Sequence, residues 1–273
     1  MPYYRDAMSL FDQLDLGKFL LFTLVLTRVS GLMMTAPIYG TAQVPMQVRA
    51  LFSAAVALVI LPTQWHVVVA YPGSIFNYLV FLGAELLVGV CLGLGVVILF
   101  SGVQLGGELI GRVSGLMLAD VFDPGSGASI PLFSRLFHLV ALAAFVCIGG
   151  HRLVMAGLLD TFTTIPAGGA GVPLSMADAF VVLLTQSFAL GVRAAAPVVT
   201  AILLSTLVLG LISRTLPQLN ILAVGFGLNS MLTFGMLSVA LGASIWIFQD
   251  QVQPALEILL DALHAPTRTE LLS

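Results

Sequence analysis

The sequence predicts an all-α integral membrane protein, and three observations carry that prediction. Of its 273 residues, 59% are hydrophobic and only 8% are charged, whereas a soluble domain carries roughly 25% charged residues. Mean hydropathy is +1.08. The apolar residues fall into six long runs, and about 20 apolar residues suffice to cross a hydrocarbon core. A formal net charge of −3 and a pI near 5.7 give no basic patch for nucleic acid, so that class of partner is excluded.

The chain opens with a short amphipathic lead-in over 1–16. Asp6, Asp12 and Asp15 stand there against Arg5 and Lys18. A secretory leader needs a positive start, so the first apolar run reads as a retained helix. That run covers about 17–38 and contains Arg28. A charge inside a span costs about 2.5–3.5 kcal/mol on insertion scales, so Arg28 is expected to face protein or water. Pro37, Gly40 and Pro45 then break the chain. A second run covers about 50–61, and Trp65, His66 and Tyr71 mark a connection at the membrane edge.

The third run begins at Ile75 and meets no proline before Pro124. It reads as one helix over about 75–119, interrupted in composition only by Asn77 and Glu85 before the polar segment at Glu108. At ~1.5 Å per residue such a helix outreaches a ~30 Å hydrocarbon core, so it must tilt, bend or leave the membrane. The fourth run covers about 132–159, with Arg135, His138, His151 and Arg152 near its ends. The fifth covers about 179–212 and holds Arg193 and Pro197. Proline cannot donate to the carbonyl four residues back, so a kink is expected at Pro197. Ser213 to Asn220 forms a tight polar turn before the sixth run, about 221–248, and a polar tail follows over 250–273. Arginines near loops one, three and five are balanced by Arg5, Lys18 and Arg268 on the tails, which leaves the orientation open.

The stretch with the densest glycine and polar content is 102–125. Gly102 and Gly106 are four residues apart, as are Gly107, Gly111 and Gly115. Small residues at that spacing let helix backbones approach closely in lipid. Glu108 and Arg112 have the favourable order for a pair on one helix face. An apolar patch follows, Leu116, Met117, Leu118, Val121 and Phe122, and Asp123-Pro124-Gly125 stops the helix. Close packing, a greasy segment and a breaker suit a constriction inside an assembly. They also suit an ordinary interfacial helix end.

Chemistry is harder to find. Glu108 and Arg112 are candidates for a transporter site built on broken helices, or for a structural ion pair. His138, His151 and Asp160 lack a metal-ligand spacing such as HExxH. Ser126 lacks the Gly-x-Ser-x-Gly elbow of a nucleophile. Cys91 and Cys147 lie in apolar runs and form no CxxC pair, so they read as small hydrophobes. No metal, cofactor or catalytic set is expected.

Several segments taken together resemble the FliR/SctT family of export-apparatus proteins from flagellar and virulence type III secretion systems. Gly107-Glu-Leu-Ile-Gly111, then Gly115, then Asp123-Pro124 is similar to the family's Gly-Glu-x-Ile-Gly…Gly…Asp-Pro signature. Gly150-His151 through Asp160-Thr-Phe-Thr-Thr-Ile-Pro166 resembles the next block. Gly210-Leu-Ile-Ser-Arg214 with Pro217, Gln218 and Asn220, then Gly225-Phe226, resembles the block near the C-terminal hairpin. The opening Arg28-Val-Ser-Gly-Leu-Met-Met-Thr-Ala-Pro37 fits as well. Leu118 and Val121 stand where the family's plug is usually aromatic, and Gly150-His151 looks nearer to the flagellar branch.

The resemblance implies a single export-gate membrane domain over 1–273, built of long kinked helices and helical hairpins in a hetero-oligomer. It implies a location in the bacterial inner membrane at the flagellar basal body. It also implies FliP-like and FliQ-like partner subunits, a FlhB-like subunit at the cytoplasmic side, surrounding lipid, and unfolded exported proteins passing through the centre. On that reading Leu116 to Phe122 form the plug. Arg28, Gly107, Glu108, Gly111, Arg112, Gly115, Asp123, Pro124, Arg193, Arg214, Gln218 and Asn220 supply structural packing, and the protein is not an enzyme.

Overall fold

A computed structural model describes residues 16–40, 44–67, 73–115, 132–169, 171, 173, 175–216, 218 and 221–264. Among them the chain is helical throughout, without strands. The elements are α1 (Leu16–Thr35), α2 (Met46–Ile60) with a 3₁₀ turn at Leu61–Gln64, α3 (Ile75–Ser114), α4 (Leu132–Cys147), α5 (Gly150–Thr164), α6 (Ser175–Thr215) and α7 (Ile221–His264). Among the described residues five helices are long and apolar enough to cross a membrane, or six spans if α4 and α5 count as one broken span. The protein is therefore an all-α integral membrane protein.

Local chemistry explains where these helices start and stop. Pro45 precedes α2 with φ −56 and ψ 142, and Arg49 folds back to donate through Nε to the Val44 carbonyl at 3.1 Å. α3 ends at Ser114, short of the expected end near 119. Gly115 takes φ 75 there, a left-handed value that glycine accepts readily. The fourth apolar run is divided into two helices at Ile148–Gly149, where Gly149 takes φ 74. α6 continues through Pro197. Its last turn is closed by hydroxyls, Ser213 Oγ donating to Gly210 O at 2.6 Å and Thr215 Oγ1 to Ile212 O at 2.9 Å. α6 and α7 then form the hairpin expected around 213–220. Ser205 and Asn229, placed evenly about the turn, hydrogen-bond at 3.3 Å. α7 runs well past the apolar stretch that ends near 248 and closes at His264.

The chain forms two compact units. The first takes residues 1–97, 151–180 and 256–273, and the second takes 98–150 and 181–255. In the first unit α1 and α3 touch backbone to backbone. A Cβ added to Gly31 would lie 2.6 Å from the Leu86 carbonyl oxygen, and one on Gly89 would strike the Arg28 carbonyl. Leu24, Val29, Leu32, Val88 and Leu92 are buried around this seam. Ser175 does not cap its own helix; its hydroxyl donates to Ala262 O at 2.8 Å and fastens the start of α6 to the end of α7.

The second unit is centred on three phenylalanines. Phe100 meets Phe145 edge-on at 5.4 Å and Phe248 at 5.1 Å, the geometry aromatic quadrupoles prefer. Phe137, Ala141, Leu190, Ala194 and Val198 are buried in the same unit.

The close approach at Gly89 yields a prediction. Gly89→Leu forces α1 and α3 apart, and overpacking of this kind costs ~1–3 kcal/mol or more. The thermal unfolding midpoint of the detergent-solubilised chain is expected to fall. Gly83→Leu, whose Cβ direction meets open space, is expected to leave it unchanged. Equal effects of the two variants would contradict the packing account.

Candidate functional site

Two places concentrate polar groups within this apolar chain. The first lies in unit one and begins with Arg28. Its side chain and that of Glu85 have no exposed surface, and Arg28 Nε donates to Glu85 Oε2 at 2.6 Å. Arg28 Nη1 donates to the carbonyl oxygens of Thr161 at 3.0 Å and Ile165 at 2.9 Å, and to Thr161 Oγ1 at 3.2 Å. The guanidinium also lies 4.2 Å from the centre of the Phe162 ring, a distance at which the ring face attracts a cation. Glu85 Oε1 accepts from the Gly168 backbone N–H at 2.7 Å.

These bonds have a structural logic. Arg28, from a different helix, adds a second bond to the Thr161 carbonyl, which already accepts from Ile165 N–H at 2.9 Å, and donates to the Ile165 carbonyl just beyond α5. Glu85 holds the loop beyond it, where Gly168 takes φ 89. Gln64 adds a further tie, its Nε2 donating to Phe162 O at 3.2 Å. The expectation that Arg28 avoids lipid is met inside the chain itself. Glu85 is the residue that sequence reasoning passed over. The available signal was charge balance, because a buried arginine in one apolar run requires an acid in another.

The second place is the end of α3, in unit two. The expected glycine face is present, and it splits between two neighbours. A Cβ on Gly102 would press on the Ser187 backbone, and one on Gly106 would come 3.0 Å from the Gly191 carbonyl, both on α6. A Cβ on Gly107 would lie 2.6 Å from the Phe133 carbonyl on α4. Gly111 is buried too. Ser134 Oγ donates to Gln104 O at 3.0 Å, and Gln104 Nε2 lies 2.7 Å from His138 Nδ1.

Glu108 and Arg112 pair with each other on one face of α3, Arg112 Nε donating to Glu108 Oε1 at 2.9 Å. The arginine side chain is 65% exposed. Such a pair contributes only tenths of a kcal/mol. The helix then stops at Gly115. Leu116, Met117, Leu118, Val121, Phe122, Asp123 and Pro124, expected to form the plug and its breaker, lie outside the described residues, as does Asn220. Arg193, Arg214 and Gln218 are exposed and do not join either cluster. Among the described residues no group of three His, Cys, Asp or Glu side chains is arranged to hold a metal ion.

The family described as bacterial export proteins, family 1, matches residues 19–255. The chain belongs to this family. The match spans both polar clusters. Among similar proteins, the flagellar biosynthetic protein FliR of Escherichia coli (strain K12) is 34% identical over 220 residues, covering 79% of this chain and 81% of that protein. FliR of Bacillus subtilis (strain 168) is 29% identical over 249 residues, covering 89% and 94%. FliR of Aquifex aeolicus (strain VF5) is 30% identical over 220 residues, covering 80% and 84%. The resemblance read from Gly107-Glu-Leu-Ile-Gly111 and the later blocks is thus met by family membership. In this member of the bacterial export proteins, the Arg28–Glu85 pair and the glycine-packed end of α3 are the polar sites built from described residues.

The buried pair makes a sharp prediction. Arg28→Met leaves the Glu85 carboxylate buried without its partner, a loss of ~3–5 kcal/mol. Replacing both with methionine is expected to recover most of the thermal stability, since apolar isosteres of buried pairs are often neutral. Hydrogen exchange in the loop at 165–169 is expected to stay fast in the double variant, because both anchors are gone. A double variant as unstable as Arg28→Met would argue against the pairing.

Proposed function

We propose that the chain is a core subunit of the flagellar type III protein export channel, in the bacterial inner membrane at the basal body. On this reading it forms one export-gate domain with FliP-like and FliQ-like subunits. A FlhB-like subunit binds at the cytoplasmic side, and unfolded export substrates pass through the assembly. It conducts and does not catalyse. Leu116, Met117, Leu118, Val121 and Phe122 form the plug, and Asp123-Pro124 forms the breaker after it.

The observation that carries the proposal is the length of the apolar helices. α3, α6 and α7 have 40, 41 and 44 residues, or about 60–66 Å at ~1.5 Å per residue. A ~30 Å hydrocarbon core covers about half of that. α6 and α7 bury only 22% of their most apolar windows within the chain. The remaining surface calls for protein partners, as a gate subunit provides. The flagellar name of the relatives favours the flagellar apparatus.

Two outcomes are expected. The chain co-purifies with FliP-like and FliQ-like subunits when expressed with them, and is depleted from membranes without them. A monodisperse folded monomer that ignores those subunits would overturn the assembly reading. For the plug, Leu118→Asp with Val121→Asp is expected to give an assembled complex that conducts ions in planar bilayers, because a narrow apolar passage seals by dewetting. An intact complex with unchanged conductance and secretion would remove the gate from this segment.

A further inference from the structure

We propose that the exposed face of α6 around Arg193 docks a helix of another export subunit that presents a carboxylate to this arginine. The inference rests on the channel-subunit reading above and adds the chemistry of one contact. Arg193 stands mid-helix in α6, with 18 residues before it and 22 after it. It is exposed, and among the described residues it makes no hydrogen bond or ion pair. Its surroundings are apolar, with Val192 and Ala196 exposed beside it. An arginine at the centre of a span costs about 2.5–3.5 kcal/mol on insertion scales, so such residues face protein or a cavity and find a partner.

Among the described residues no acid of its own unit serves. The described acids of unit two are Glu108, already bonded to Arg112, and Asp250, which forms no ion pair. Against these two stand four arginines, at 112, 135, 193 and 214. The complement of a lone arginine on an apolar helix face is an apolar helix bearing an acid.

The shape of the face agrees. Ala196, Thr200, Leu204, Leu207 and Leu211 follow Arg193 at spacings of three and four, and all are exposed. Residues so spaced line one side of a helix. Ala196 and Thr200 form a small-residue shelf where a second backbone approaches closely. The leucines beyond them give it apolar surface to cover. Lipid alone does not account for the face. Exposed apolar side chains run along α6 from Val181 to Ile212, a rise of ~46 Å, while the hydrocarbon core of a bilayer is ~30 Å thick. The small-residue shelf next to the charge marks the Arg193 segment as the part that protein covers.

The test uses the tagged full chain co-expressed with its export subunits. Arg193→Met is expected to reduce recovery of those subunits at least tenfold, since it strands the partner's carboxylate in an apolar contact. Arg193→Glu is expected to reduce it further, and Arg193→Lys to keep at least half. A photo-crosslinking residue at Ala196, with Arg193 intact, is expected to give an adduct with another export subunit. If Arg193→Met also destabilises the chain, this adduct alone decides. Wild-type recovery with Arg193→Met, or an adduct with phospholipid only, overturns the proposal and gives Arg193 to a lipid phosphate. Failure of the wild-type chain to recover any export subunit overturns the channel reading itself.

Discussion

A guanidinium without exposed surface lies 2.6 Å from an equally buried carboxylate, and the first unit is arranged around that fact. Arg28 comes from α1 and Glu85 from α3, while the carbonyls they secure belong to the end of α5 and the loop after it. Taking either ion out of water alone is prohibitive, so the two helices must meet in one register. Gly31 and Gly89 make that meeting possible because neither presents a Cβ to the facing backbone. Charge pairing thus fixes where the helices touch, and glycine fixes how closely.

The second unit solves a different problem with the same device. Gly102, Gly106 and Gly107 give α3 two close neighbours, α6 on one side and α4 on the other. This leaves room for the Phe100–Phe145–Phe248 cluster beneath. The glycine face ends at Gly115, whose left-handed backbone stops the helix immediately before the apolar segment proposed as the plug.

Membership of the bacterial export proteins, family 1, puts both units in a common setting. Helices as long as α6 and α7, 41 and 44 residues with largely exposed apolar windows, are an awkward design for a lone protein in lipid. They are a natural design for a subunit whose neighbours complete its surface.

Sequence alone determined the class of the protein. Composition and run length required membrane helices, and the polar stretch at Ser213 to Asn220 marked a turn between the last two runs. An arginine in an apolar run had to face protein or water rather than lipid, and the blocks from Gly107 onward pointed to the export family. These are local or cumulative properties, legible because solvent preference and backbone chemistry act residue by residue. Only the tertiary structure decided the rest. Glu85 is 57 positions from Arg28, and no spacing rule connects them. The break at Ile148–Gly149 lies inside a run that composition reads as continuous. The glycines at 102–107 announced close packing but not which helices would pack. Pairings between distant segments depend on how whole helices fit together, and that fit is set by shape and register across the unit rather than by any stretch of chain.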